Sequence, residues 1–294
     1  MKKKLFAIAT LITAALALSA CGASSSADTT AADTSAAGTE ASAAEGETTI
    51  VTVGVVGAYN DHWDVVNELL APEGIQVELV HFSDYGTPNR ALNDGEIDLN
   101  SFQHKAFLKN DVETAGYEIT DIADTLIAPL SIYNNKDKIQ SVDEIKGGDI
   151  IAIPSDRTNG GRALKLLEAA GLIVCDPETG SMPTVADITS YNKEIEIIEA
   201  ESATLANLLP DCAAAVINGG NAFTAGLNPS VDAIFTEDVD PETNPNVADL
   251  INVIAARTAD KDNETYQKVV EAFHTDEVRE AILECYDGAF IPAF

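Results

Sequence analysis

Basic residues are scarce in this sequence. Its 294 residues include 17 Lys and Arg against 48 Asp and Glu, which gives a formal net charge of −31 at pH 7. Binding to nucleic-acid phosphates depends on Lys and Arg, and adhesion to anionic lipid depends on the same positive charges. The composition therefore argues against nucleic acid as a partner and disfavours electrostatic adhesion to a membrane. It leaves a small-molecule ligand open.

Cysteine is also rare, and catalytic signatures are missing. The four cysteines are Cys21, Cys175, Cys212 and Cys285, and no CxxC motif occurs, so we expect neither a disulfide framework nor a zinc site. A single pair among the last three stays open. An enzyme needs an activated nucleophile, a metal cluster or a carboxylate pair, and the sequence has no GxSxG or HExxH motif. We therefore expect no enzyme, no metal and no cofactor, with an exported enzyme kept as the competing class.

The apolar run at the N-terminus is too short to span a membrane. Residues 5–18 follow three lysines and would form a helix of about 21 Å, whereas a membrane span needs about 20 residues. Such a run is typical of the core of a secretion signal. It ends in Leu-Ser-Ala-Cys, which resembles the cleavage box of bacterial lipoproteins. We predict a signal peptide over 1–20 and diacylation of Cys21, which would anchor the protein to the membrane; the alternative is an ordinary signal with an incidental cysteine.

A low-complexity stretch follows the cysteine. Residues 22–47 contain no aromatic residue and no Val, Ile or Leu, so they cannot bury enough apolar surface to order themselves. We interpret 21–47 as the lipidated cysteine and a flexible tether with a reach of about 25–30 Å.

The remaining residues, 48–294, alternate between strand and helix patterns, which predicts α/β layers with a largely parallel sheet. Five strands end in polar clusters. Because ligands bind at the carboxyl ends of strands in such sheets, we expect a pocket there for a small, zwitterionic and partly apolar molecule. The predicted strands are 49–56, 75–82, 97–99, two within 117–133, 149–154, 194–200, 213–218 and 250–257; the predicted helices are 61–70, 87–95, 101–110, 161–172, 203–209 and a helical tail over 260–287.

Four segments carry a resemblance to a known family, in order and with their spacing kept. They are FSDYGTPNRALNDGEIDLNSFQHKAFL (82–108), AIPSDRTNGGRALKLLEAAGLI (152–173), PTVADI (183–188) and AAVINGGNAF (214–223). The chain resembles the NlpA-type lipoproteins, the substrate-binding components of methionine ABC importers.

The resemblance implies a two-lobed, periplasmic-binding-protein-like (type II) fold with the ligand in a cleft between lobes that close around it. Lobe one would comprise 48–129 plus 248–294, and lobe two 130–247. The protein would be exported, lipid-anchored and monomeric. It would bind L-methionine or a close analogue and deliver it to the permease and ATPase of an importer.

The resemblance also implies the site residues. Tyr85 and Phe102 would hold the thioether chain, since sulfur–aromatic contacts are favourable, and His104 would be a hydrogen-bonding wall near the polar end of the ligand. Arg162 would clamp the ligand carboxylate through two parallel hydrogen bonds. Asn159 would assist at the start of its helix, where an anion is favoured.

Two asparagines complete the implied site. The amide oxygen of Asn218 would take the α-amino group, and Asn221 stands where the family usually has Tyr. The chain also departs from the family pattern at Arg157 and at Tyr59-Asn60-Asp61. These departures leave open methionine itself, a related amino acid or a methionine-containing dipeptide. A lipoprotein adhesin without a small ligand is the third class.

Overall fold

The computed structural model describes residues 48–294, which form thirteen strands and ten α-helices. The strands are β1 Thr49–Val56, β2 Ile75–Phe82, β3 Leu99–Asn100, β4 Ile119–Ile127, β5 Leu130–Asn134, β6 Ile150–Pro154, β7 Ile173–Cys175, β8 Ile188–Tyr191, β9 Glu196–Ala200, β10 Ala214–Asn218, β11 Ala233–Thr236, β12 Ile251–Arg257 and β13 Ile291–Pro292. The helices are α1 His62–Leu70, α2 Pro88–Asn93, α3 Lys105–Ala115, α4 Arg157–Ala169, α5 Leu205–Leu208, α6 Gly219–Thr224, α7 Pro229–Asp232, α8 Val247–Leu250, α9 Glu264–Phe273 and α10 Asp276–Cys285. The predicted signal peptide, Cys21 and the tether lie outside the described residues.

Two main sheets organise the described chain. The larger has the order β13-β4-β12-β3-β1-β2 and the smaller the order β11-β5-β10-β6-β9, while β7 and β8 form a separate ribbon. The chain passes from the larger sheet to the smaller between β4 and β5, and returns between β11 and β12. Two passages between two sheets give the described chain a two-lobed architecture.

The expectation of largely parallel sheets was wrong. In the larger sheet β1 pairs in parallel with β2 and β3, but β12 pairs antiparallel with β3 and β4, and β13 pairs antiparallel with β4. In the smaller sheet β6 pairs in parallel with β9 and β10, whereas β5 pairs antiparallel with β10 and β11. In these two sheets every antiparallel pair includes a strand that adjoins one of the two passages, namely β4, β5, β11 or β12.

Each sheet has its own apolar core. Val51, Val53 and Val55 point from β1 into one cluster with Trp63 of α1 and Phe273 of α9. Their alternation along the strand is the pattern of a strand with one face buried against helices. A second cluster joins Leu130, Ile132, Ile151, Ile153 and Leu164 around the smaller sheet. None of the helices within 48–294 combines the length and apolar character that crossing a bilayer requires.

Candidate functional site

A cavity lies where residues of both sheets meet. Its volume is about 80 Å³, which suits a small molecule rather than a large one. The structure brings all seven residues predicted from the sequence into its wall: Tyr85, Phe102, His104, Asn159, Arg162, Asn218 and Asn221. Their roles toward a ligand stay predictions at this point, but their proximity is a property of the fold.

Asn159 is the centre of the polar part of the wall. Its Oδ1 accepts hydrogen bonds from Asn218 Nδ2 at 2.8 Å, Arg162 Nη1 at 3.2 Å and His104 Nε2 at 3.3 Å. Its Nδ2 donates to both carboxylate oxygens of Asp156 at 3.1 Å. Asp156 also caps α4 by accepting from the backbone N–H of Asn159 at 2.9 Å. The helix start therefore fixes the amide that orients three other side chains.

His104 is held as a neutral ring. It precedes α3 as its N-cap, and its Nδ1 accepts from the backbone N–H of Phe107 at 3.1 Å. That contact leaves the proton on Nε2, which donates to Asn159. Burial lowers the pKa of His104 to about 3, and the charge of Arg162 acts in the same direction, whereas the hydrogen bond to Asn159 acts against both. A ring bound on both nitrogens and neutral at physiological pH is a wall group, neither a free base nor a metal ligand.

Arg162 already has a carboxylate partner within the protein. Its Nε donates to Glu237 Oε1 at 3.1 Å and its Nη2 to Glu237 Oε2 at 2.5 Å, and both side chains are largely buried. With the bond from Nη1 to Asn159, three of the five guanidinium N–H groups are used. The remaining two are on Nη1 and Nη2. The predicted clamp on a ligand carboxylate can therefore use only this part of the guanidinium.

Three aromatic rings form the less polar part of the wall. Tyr85 and Phe102 stack with ring centroids 6.0 Å apart and an interplanar angle of 28°. Phe107 meets both rings edge-on, at 6.1 Å from Tyr85 and 5.9 Å from Phe102. Burial raises the pKa of Tyr85, so its phenol stays protonated. These rings offer polarizable surface to an apolar or sulfur-containing side chain.

Some buried polar atoms of the described cavity wall have no hydrogen-bond partner. Among the described residues, Asn218 Oδ1, Asn221 Nδ2 and His62 Nδ1 are buried, lie on cavity-wall residues and make no hydrogen bond. Asn218 stands at the N-cap of α6, yet its side chain does not cap that helix. A buried polar atom without a partner is costly. A ligand that supplies the missing partners would relieve that cost.

Sequence reasoning did not assign several residues of this site. His62 lies in the wall and is 4% exposed, although it is not one of the seven residues predicted from the sequence. Burial lowers its pKa to about 4. Tyr286 and Phe290 come from the C-terminal segment, and Glu237 reaches the site only through Arg162. No local pattern signals Tyr286 and Phe290, because they reach the cavity only after the chain has returned to the larger sheet.

Comparison with known proteins gives a consistent result. The model of the NlpA lipoprotein family matches residues 51–294. A protein named D-methionine-binding lipoprotein MetQ, from Salmonella typhimurium, is 38% identical over 251 residues, which cover 84% of this chain and 89% of that protein.

Solved structures agree in fold. A nutrient binding protein from Burkholderia cenocepacia, bound to methionine, superimposes with a TM-score of 0.77 at 36% identity, covering 83% of this chain and 100% of that one. The substrate binding protein of a methionine transporter from Streptococcus pneumoniae gives 0.78 at 35% identity, covering 85% of this chain and 97% of that one. The predicted two-lobed, periplasmic-binding-protein-like fold is confirmed. The motif resemblance is confirmed as well, and the chain belongs to the NlpA lipoprotein family.

Proposed function

We propose that this protein is a solute-binding lipoprotein that captures methionine, or a close analogue, in the cavity between its lobes and delivers it to an ABC importer. One observation carries the proposal. The cavity combines unused N–H groups of Arg162 and the unpaired oxygen of Asn218 with a wall of three aromatic rings. These are the complements of a carboxylate, an ammonium and an apolar side chain on one small molecule.

Each part of an amino acid has a partner in this proposal. The ligand carboxylate accepts from Nη1 and Nη2 of Arg162, and the α-ammonium donates to Oδ1 of Asn218. The side chain lies among Tyr85, Phe102 and Phe107, where a thioether sulfur gains about 0.3–1.5 kcal/mol per aromatic contact. Asn159 orients Arg162, Asn218 and His104, and Asn221 and His62 offer further hydrogen bonds.

The relatives support methionine as the ligand class. The Salmonella relative is named for D-methionine, and the Burkholderia structure contains methionine. Another amino acid or a methionine-containing dipeptide is the alternative within the same function. Membership of this family also confirms the expectation that the chain is not an enzyme, because its relatives are named as binding proteins of a transporter.

The placement of the protein in the cell follows the same reasoning. A member of a lipoprotein family is exported and membrane-associated. We further propose cleavage after residue 20, a lipid anchor on Cys21 and a tether over 21–47.

Lobe one comprises 48–129 plus 248–294 and lobe two 130–247 in this proposal, which the division of the strands between the two sheets supports. The partners are a permease and an ATPase, and the binding protein acts as a monomer.

The first test identifies the ligand directly. The protein is purified without added amino acids and unfolded, and any released small molecule is identified by mass spectrometry. We expect methionine or a related amino acid in near-stoichiometric amount. Release of a stoichiometric molecule that lacks a carboxylate and an amino group would refute the proposal.

The second test removes the proposed carboxylate contact. In Arg162→Ala, methionine affinity should fall by at least about 100-fold, because a charge-assisted bidentate contact is lost. Arg157→Ala is the matched control, because Arg157 begins the same helix but is exposed and lies outside the cavity wall. Calorimetric titration measures both variants, and equal affinities in the two would count against the assignment.

A further inference from the structure

The charges around the cavity are unevenly placed. Among the described wall residues, the ionisable ones are His62, Tyr85, His104, Arg162 and Tyr286. Burial lowers the pKa of both histidines and raises the pKa of both tyrosines, so these four are neutral at pH 7. Arg162 is therefore the one charged side chain in the described wall, and an anion would be the simplest ligand for it.

Glu237 changes that conclusion. It lies behind the wall, pairs with Arg162 through both carboxylate oxygens at 3.1 and 2.5 Å, and is itself fixed by the backbone N–H of Leu130 at 3.1 Å. Its side chain is 12% exposed, so water screens the pair only weakly. Asp156 adds a second carboxylate to the network through Asn159. The single positive charge of Arg162 therefore shares one hydrogen-bonded network with two carboxylates before any ligand arrives.

We infer that Glu237 determines the net charge that the ligand must carry, so that the cavity selects zwitterions and rejects organic anions of the same shape. The inference rests on the proposed function, because it assumes that a ligand carboxylate reaches Arg162. A carboxylate without an ammonium brings an uncompensated negative charge toward Glu237 and Asp156. A zwitterion brings its own positive charge into the same poorly screened space. Glu237 is thus a positioning and specificity-determining residue that does not touch the ligand.

The test compares three ligands that share one side chain. Methionine is a zwitterion, N-acetylmethionine an anion and methioninamide a cation at neutral pH. The full chain in detergent is titrated with each ligand, as wild type and as Glu237→Gln, which keeps the shape of the side chain and removes its charge. The acetyl and amide groups change the fit of the ligand equally in both proteins, so the change in each affinity ratio isolates the effect of the charge.

The wild type should bind methionine and disfavour N-acetylmethionine. In Glu237→Gln, the affinity of N-acetylmethionine relative to methionine should rise by about tenfold or more, and that of methioninamide should fall, because one poorly screened charge is removed. Asp238→Asn is the control: it removes the same charge from the next residue, whose carboxylate instead bonds within its own turn to Thr243 and Asp240. Its affinity ratios should match the wild type.

The outcomes separate the two claims. Failure of the folded wild type to bind methionine would overturn the proposed function. Wild-type binding with unchanged ratios in Glu237→Gln, or an equal loss for all three ligands, would overturn the inference alone. If Glu237→Gln does not give the circular dichroism of the wild type, Glu237→Asp decides. It keeps the charge on a shorter side chain, so it should keep the wild-type order of the three ligands while weakening methionine, and a changed order would contradict the inference.

Discussion

The histidines of the cavity illustrate how burial determines chemistry at the residue scale. A buried imidazole without a carboxylate partner favours its neutral form, because desolvation penalises the charged one. The pKa of His62 falls to about 4 and that of His104 to about 3. Among the described residues no acidic group contributes to either shift, so both rings are neutral at pH 7: His104 is hydrogen-bonded through both nitrogens, whereas Nδ1 of His62 has no partner.

This neutrality predicts a loss of stability in acid. The unfolded chain binds protons on these histidines near pH 6.5, before the folded protein does, so the free energy of unfolding should fall as the pH drops below 6.5. For His62 the loss should approach about 3 kcal/mol near pH 4. Urea unfolding of His62→Gln at pH 7 and pH 4.5 should show a smaller loss than the wild type. The same substitution at exposed His81 controls for the change of residue, and identical pH dependence in the wild type and His62→Gln would contradict this account.

The start of α4 is the element on which the site depends most. Asp156 accepts from the backbone N–H of Asn159 as the helix cap and from its side-chain Nδ2, and Arg162 follows one turn later on the same face. Helix cap, amide orientation and guanidinium placement are therefore one connected structure. A substitution that removes the helix cap should therefore also weaken ligand binding.

Asp156→Ala should cost about 1–2 kcal/mol of stability through the lost cap, and should also weaken methionine binding, because Asn159 loses the acceptors of its Nδ2. Thr275→Ala is the control, since Thr275 caps α10 by accepting from Val278 and does not line the cavity. The stability of Thr275→Ala should fall while its affinity for methionine stays unchanged. Thermal unfolding and calorimetry on both variants check this, and equal methionine affinities in Asp156→Ala and Thr275→Ala would argue against a connected network.

Much of the element pattern was predictable from local sequence. The alternating apolar runs place β1 and β2 at the predicted residues. The helix predicted over 101–110 instead begins at Lys105, because residues 102–104 extend along β12: Val253 donates to the carbonyl of Gln103, and His104 bridges Asn252. Short elements such as β7, β8, β11 and β13 have too few residues for a periodic signal. Antiparallel pairing depends on tertiary connections that local patterns do not encode.

The site residues also fall into two groups, those that local sequence predicts and those that it does not. Residues within the contiguous motifs, such as His104 and Arg162, are recognisable because their neighbours in sequence are also their neighbours in the fold. Glu237, Tyr286 and Phe290 reach the site from distant parts of the chain, so no spacing rule points to them.

At the scale of the whole molecule, the two lobes touch through close contacts beside the cavity. The backbone N–H of Ala58 donates to Thr224 Oγ1 at 3.2 Å, and the rings of Tyr59 and Phe223 meet at 5.8 Å. Gly219 also packs against the opposite lobe and leaves no room for a side chain. A Cβ there would lie 2.6 Å from Phe290 Cε1 and 3.3 Å from the carbonyl oxygen of Pro129.

Gly219→Ala should therefore weaken ligand binding. The added methyl group forces the Phe290 ring aside at a cost of about 1–3 kcal/mol. Because Gly219 and Phe290 belong to different lobes, this cost destabilises the arrangement in which the lobes meet around the ligand. The Kd for methionine should therefore rise by about tenfold. Gly147→Ala is the control, because a Cβ there makes only an ordinary contact with Glu194 Cβ at 3.7 Å and Gly147 does not line the cavity. Calorimetric titration compares the two, and an equal Kd in both would show that close approach at Gly219 is not required.

The most direct measurement is a calorimetric titration of the ligand-free wild-type protein with L- and D-methionine. The protein is unfolded, dialysed and refolded beforehand, and circular dichroism verifies the native structure. The proposed site predicts saturable binding of one methionine per chain, with raised thermal stability at saturating ligand. A correctly refolded protein that shows neither binding heat nor thermal stabilisation with either enantiomer would contradict the central claim that this cavity is a methionine site.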